Sequence, residues 1–230
     1  MTIITGLVTF VLTLVLAIFQ LTARVDAQRF DLAVRTDFFA GFAGDQARLQ
    51  KAMATCERTL AENPKHAEAL VWHGAGLLFQ AGQSFQSGDG QRGMELFQRA
   101  IGQMNEAVTL EPDNVAVLIP RGAVLLTASR TLDPAMARPL LETAVGDYEK
   151  VLGIQAAYFD TLGDHPRGEL LFGLAEGSAR LGRPEKARAY FERLIKDAPT
   201  SGQTTRAQAW LNTGSLPKIV GPGCIGCHKP

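Results

Sequence analysis

Residues 171–200 read "LFGLAEGSARLGRPEKARAYFERLIKDAPT", and the spacing inside this stretch decides the fold. Leu171, Leu174 and Ala175 recur three and four residues apart, the period of one face of a helix. Gly182 marks a turn, and Ala187 and Phe191 resume the helical period. Pro199 then stops the second helix, because proline lacks the N–H that would continue the ladder. The stretch predicts two helices joined by a tight turn.

Weaker copies of the same pattern precede it. Ala40, Ala52, Cys56 and Pro64 mark a first unit, and "ENPKHAEAL" carries the chain out of it into a second. Leu70, Gly74 and Leu77 open that second unit, and Ala100, Met104, Ala107 and Pro112 close it. Leu118, Gly122 and Leu125 open a third, completed by Ala144 and Tyr148 after an insertion that contains Pro134. "TTRAQAWLNTG" reads as a terminal capping helix over 203–213, stopped by Gly214. Helix-turn-helix units of this kind, repeating at about 34 residues, resemble the tetratricopeptide repeat (TPR) family. The resemblance covers roughly residues 33–213, as about four repeats, and it is clearest in the last. It implies an all-α solenoid in which small residues let paired helices touch and an aromatic fills the groove between them. Against the family pattern, the second unit carries about 14 extra residues around "QSFQSGDGQRG".

The resemblance also implies a concave face lined by the first helix of each unit. Carried over, that face comprises Val71, Ala75, Leu78 and Phe79, then Ile119, Ala123 and Leu126, then Phe172, Glu176 and Arg180. Two expectations compete for its apolar members: a groove for a partner helix or a haem face, or ordinary core. The Lys/Asn/Arg clamp with which some family members hold a peptide carboxylate is not matched.

Composition narrows the classes of function. Lys and Arg number 23, as do Asp and Glu, so no basic excess points to nucleic acid. Hydrophobic residues make up 46%, too many for an acidic disordered chain. Three cysteines are too few for a disulfide scaffold. No nucleotide loop, catalytic triad or paired carboxylate set stands out, and the short "GDGQRG" reads as an insertion turn. From Ile3 to Ala23 the sequence "IITGLVTFVLTLVLAIFQLTA" carries no charge. About 20 such residues suffice to span a bilayer, so residues 1–27 are expected to be a membrane anchor. They also fit a signal peptide, since small residues in "VDA" precede Gln28.

After Gly214 the character changes. "SLPKIVGPG" is an irregular Pro/Gly tether within 214–230, and it leads to Cys224-Ile225-Gly226-Cys227-His228. Cys-x-x-Cys-His is the attachment signature of c-type haem. Cys224 and Cys227 would form the thioethers of one covalent haem c, and His228 would be the axial ligand to its iron. Gly226 between them suits a backbone held close to the porphyrin. A structural zinc site needs four ligands, and this tail supplies three with no second CxxC. A metal- or thiol-handling role stays open, as does a tail without cofactor. For the opposite face of the haem, His66, His73, His165 and Met104 are the residues of suitable chemistry, and their positions predict turn and core roles.

Arg24, Arg29 and Arg35 follow the apolar run, which for an uncleaved anchor would favour a cytoplasmic solenoid. Haem c is attached outside the cytoplasmic membrane, and that requirement decides the expectation. The chain is expected to be a periplasmic or otherwise extracytoplasmic scaffold, membrane-anchored or secreted. It would dock a protein or its own copies, pass electrons to a redox partner near the tail, and have no substrate of its own.

Overall fold

Asp45, Asp89, Asn114 and Asp133 each turn a side-chain oxygen back onto the N–H of a residue two or three positions on, and each opens a helix. His66 does the same with its Nδ1, which accepts from the N–H of Ala69 at 3.2 Å. The computed structural model describes residues 29–216. Among the described residues the chain forms nine α-helices. They are α1 Phe30–Phe42, α2 Gln46–Glu62, α3 Ala67–Gln86, α4 Gly90–Leu110, α5 Val115–Ala128, α6 Pro134–Gln155, α7 Asp164–Arg180, α8 Pro184–Asp197 and α9 Thr204–Thr213. A single 3₁₀ turn, Phe159–Thr161, precedes α7.

Consecutive helices pair as four hairpins, α1/α2, α3/α4, α5/α6 and α7/α8, and α9 closes the array against α8. Between hairpins, α3 touches α1 and α5, and each hairpin's second helix touches the first helix of the next. The architecture is the all-α helix-turn-helix solenoid that the resemblance implies. A chain of local hairpins buries one continuous core, from Val34 and Phe38 at one end to Phe191 and Trp210 at the other.

Small residues set the helix spacing. A Cβ on Gly74 would lie 2.7 Å from Cγ of Met104 and 3.0 Å from the Ala100 carbonyl, so glycine is required where α3 crosses α4. Tyr148 is gripped from both sides: a Cβ on Gly122 of α5 or on Gly173 of α7 would collide with its ring. In the first unit the crossing residue is Gly41, whose Cβ would fall 2.6 Å from Cβ of Leu49. The expected marker there, Ala40, is only half-buried. With α1 only 13 residues long, the approach has shifted toward the turn.

The extra residues of the second unit do not form a loop. They lengthen both arms of the hairpin, to 20 residues in α3 and 21 in α4, leaving only Ser87–Asp89 as the connection. No proline interrupts the stretch, Gly88 takes the left-handed φ of 86° that ends α3, and Asp89 caps α4. The seam continues through Ala81, Leu96 and the ring of Phe85 lying over Gly93.

Two interfaces carry a repeated polar contact. His73, one residue before Gly74, shares a 2.8 Å hydrogen bond through Nδ1 with Oε1 of Gln103, three residues after Ala100. Its Nε2 lies 3.6 Å from the Glu57 carboxylate, five residues after Ala52 on the preceding hairpin. Arg121, one residue before Gly122, donates to both carboxylate oxygens of Asp147 at 2.7 and 2.6 Å, and Asp147 lies three residues after Ala144. It also donates at 3.0 Å to Asn105, five residues after Ala100 on the preceding hairpin. The same three register positions therefore build both contacts, each joining one hairpin to the one before it. In the fourth unit that register position is Leu174, fully buried. Burial pushes the Asp147 carboxyl up, and the Arg121 guanidinium pulls against it.

The start of α7 is tied to the turn after α8. Asp164 accepts from the hydroxyl and the N–H of Thr200 at 2.5 and 2.8 Å, and from Arg167 at 2.7 Å. These bonds from Thr200, then from Arg167, hold its carboxyl below the ordinary value of 3.8. A depressed carboxyl stabilises the fold above its unfolded pKa, and that contribution is lost as pH falls through the lower folded value. Acid unfolding followed by circular dichroism should therefore show Asp164→Asn already destabilised at neutral pH. Below about pH 4 the difference from the parent should shrink. A difference that grows as pH falls would refute this assignment.

Candidate functional site

The concave-face residues divide by accessibility. Val71, Ala75, Leu78, Leu126 and Phe172 are at most 6% exposed and belong to the core. Of the two competing expectations, a groove or ordinary core, these five follow the second. The first helices pack on both a hairpin partner and a neighbouring first helix, which consumes their apolar faces. Phe79 and Ala123 are half-buried against the same core, and Ile119 is 41% exposed. The histidines take structural roles: His66 caps α3 and lies 4.9 Å from the Phe30 ring, and His73 is buried in its polar contact. His165 sits in the first turn of α7. Met104 is fully buried against Gly74. The apolar run 3–23 and the Cys224, Cys227 and His228 motif lie outside the described residues.

What the structure assembles instead is a charged cleft of about 340 Å³ at the C-terminal end of the array. It lies between the turn after α5, helix α7 and helix α9, and Leu216 forms part of its wall. Glu176 on α7 is 2% exposed and sits at its base. Arg130 grips that carboxylate with two bonds, 2.8 and 2.7 Å long. Arg180, one helical turn beyond Glu176, donates to the hydroxyl and carbonyl of Ser129 at 2.9 and 2.7 Å and to the Leu126 carbonyl at 3.2 Å. Arg206 of α9 lies with its guanidinium carbon 4.2 Å from the Phe172 ring centre and donates to Gln203 at 3.0 Å.

Three arginines and one glutamate thus supply the charged side chains of the lining. Burial lowers the Arg180 pKa, Glu176 opposes the shift, and Arg130 adds to it by repulsion. Glu176 and Arg180 were named by register in the sequence. Arg130 and Arg206 were missed, since they lie 46 and 30 residues away from Glu176 and nothing local pairs them with it. Elsewhere Cys56 is fully buried, and its thiol is pushed up to about 12, mainly by burial and then by Glu57. Among the described residues no group of three or more His, Cys, Asp or Glu could hold a metal ion, and no helix is long and apolar enough to cross a membrane.

The α7/α8 hairpin has the spacing, the Gly182 turn and the buried Phe191 of a helical repeat. Residues 169–201 match the tetratricopeptide repeat family. A solved structure, a thermophilic TPR protein in Thermus thermophilus, shares 19% identity with a TM-score of 0.41. The match covers 78% of this chain and 97% of that one. No curated protein matches the chain. In the TPR unit Phe191 packs 5.7 Å from Phe172 and 4.9 Å from Trp210, so the repeat and α9 share one aromatic cluster beside the cleft.

Proposed function

We propose that this chain is a helical-repeat interaction scaffold, extracytoplasmic and membrane-directed, that carries one covalent c-type haem on its C-terminal tail. It docks a protein partner or its own copies and serves as an electron-transfer or assembly subunit, without a substrate of its own. The observation that carries the haem reading is Cys224-Ile225-Gly226-Cys227-His228. The donor set fits the group: each thiol S–H adds across a vinyl C=C with no oxidant consumed, and His228 supplies the axial nitrogen. Once bound, the group supplies one-electron exchange between ferric and ferrous iron. Cys56 cannot join the pair as a third thiolate ligand, because it is buried in the core and held protonated. The apolar run at 3–23 supports export.

The scaffold reading rests on the family match at 169–201 and on the helical array. That match also supports a second reading, in which the same scaffold works without haem. Expression in a host with cytochrome maturation machinery separates the two. A haem-stained denaturing gel and a pyridine haemochrome spectrum should show one covalent haem per chain. Cys227→Ser should lose the stain while keeping the helical circular dichroism. An exported parent protein without stain leaves the haem-free scaffold, or a tail that handles metal or thiols.

A further inference from the structure

We propose that Met136 is the sixth ligand of the tail's haem, its thioether sulfur closing the iron face opposite His228. The inference rests on the haem reading above and adds to it the group that completes the iron's coordination. A side chain that fills the second face of such an iron is a histidine or a methionine. The chain holds four histidines and five methionines, so the candidates can be taken one by one. His228 is spent on the first face, and Met1 lies outside the described residues. Met53 and Met104 are buried, and so is His73, with its Nδ1 bonded to Gln103. His66 spends its Nδ1 on capping α3, at the end of that helix away from the hairpin turn. His165 opens α7, about 22 Å of helix away from Arg180, and already has an interaction partner within the fold. Two exposed methionines remain, Met94 at 40% and Met136 at 38%.

The exit of the tail chooses between them. Ser215 and Leu216 share the cleft beside α9 with Arg130, so the tail leaves the array next to the turn between α5 and α6. Met136 follows Arg130 by six residues, in the first turn of α6. Six residues span at most about 20–22 Å, and the twelve from Leu216 to His228 reach at most about 40–43 Å. The tether therefore has length to spare. Met94 belongs to α4 of the preceding hairpin, and among the described residues the cleft takes no lining from that hairpin.

Local structure prepares the position. Asp133 accepts from the N–H groups of Ala135 and Met136 at 3.0 and 3.2 Å, and Pro134 fixes the first helical residue. The backbone of Met136 is thus set before any ligand arrives. Met136 and Pro139 lie three residues apart on one helix face, and both are exposed, as are Pro134 and Ala135. These uncharged residues offer apolar surface to a porphyrin ring, while the nearby Arg138 is paired with Glu142 at 3.2 Å. The unbranched methionine side chain has the rotamer freedom to bring its sulfur over the iron.

The test uses the full-length haem-bearing protein and reads the weak far-red absorption band that a methionine sulfur gives on ferric haem iron. The parent should show that band. Met136→Leu should lose it, with haem stain and far-UV dichroism unchanged. The midpoint potential of that variant should fall as well, since methionine ligation raises it. Met94→Leu should keep both the band and the potential. Should the leucine variant fail to fold, Met136→Ala repeats the measurement. A band that survives replacement of Met136 assigns the sulfur elsewhere and overturns the proposal. A parent with haem stain but no band also overturns it, and leaves the haem reading standing. A band that disappears on dilution, with the stain intact, places Met136 on the haem of a second copy and overturns the intramolecular form. A protein without covalent haem removes both inferences together.

Discussion

Asp147→Ala is expected to destabilise the array by about 3–5 kcal/mol, because it leaves the Arg121 guanidinium buried with only Asn105 for company. Both side chains of the Arg121–Asp147 pair are at most 10% exposed, so water cannot replace the lost partner. Denaturant titration followed by helical circular dichroism should show the loss as a lower midpoint with a similar slope. The companion variant is the sharper half of the experiment. Replacing both residues with apolar ones of similar volume, Arg121→Met with Asp147→Leu, should recover most of the stability. A double variant as unstable as Asp147→Ala would mean the pair itself is strongly net stabilising. The harm from the single change comes from stranding one charge, so the double variant separates stranding from attraction.

Phe191→Ala is expected to destabilise by a comparable amount, about 3–5 kcal/mol, but with the effect concentrated locally. Phe191 is fully buried and joins α7 to α9 through Phe172 and Trp210. In a quasi-linear array a cavity weakens its own unit and the next interface before it weakens the far end. The two tryptophans, Trp72 and Trp210, report opposite ends of the core. With Trp72→Phe as background, Trp210 fluorescence should lose its folded signal at lower denaturant than the helical circular dichroism does. Coincident transitions would show that the array unfolds as a single cooperative body.

How much could be read beforehand depended on how local each signal was. The fourth unit was legible because Leu174, Ala175, Gly182, Ala187 and Phe191 keep the family spacing without interruption. The markers Gly74, Ala100, Gly122 and Tyr148 were legible despite the insertions in their units, because each keeps its place within its own helix. The first unit was misread by one residue, since Ala40 and Gly41 are both small and only packing distinguishes them. The choice between groove and core on the concave face stayed open, because the spacing names the face of a helix but not how many neighbours press on it. The cleft needed Arg130, Glu176 and Arg206 from three separate elements, and no periodicity links such residues. His73 and Arg121 gave a hint that can be recognised in hindsight: polar residues beside the crossing glycine, where Leu174 stands in the fourth unit.

That hint has a meaning for the order of the chain. The His73 and Arg121 contacts each read one residue on their own hairpin and one on its predecessor. They work as an address that says which module may precede which. The first two junctions are addressed in this way, by His73 beside Glu57 and by Arg121 on Asn105. The third has Leu174 at that register position and is joined instead by the Arg130–Glu176 pair and by Arg180 on Ser129 and the Leu126 carbonyl. An array of near-identical hairpins would be free to stack out of sequence or to swap modules between molecules; this one writes its assembly order into its interior.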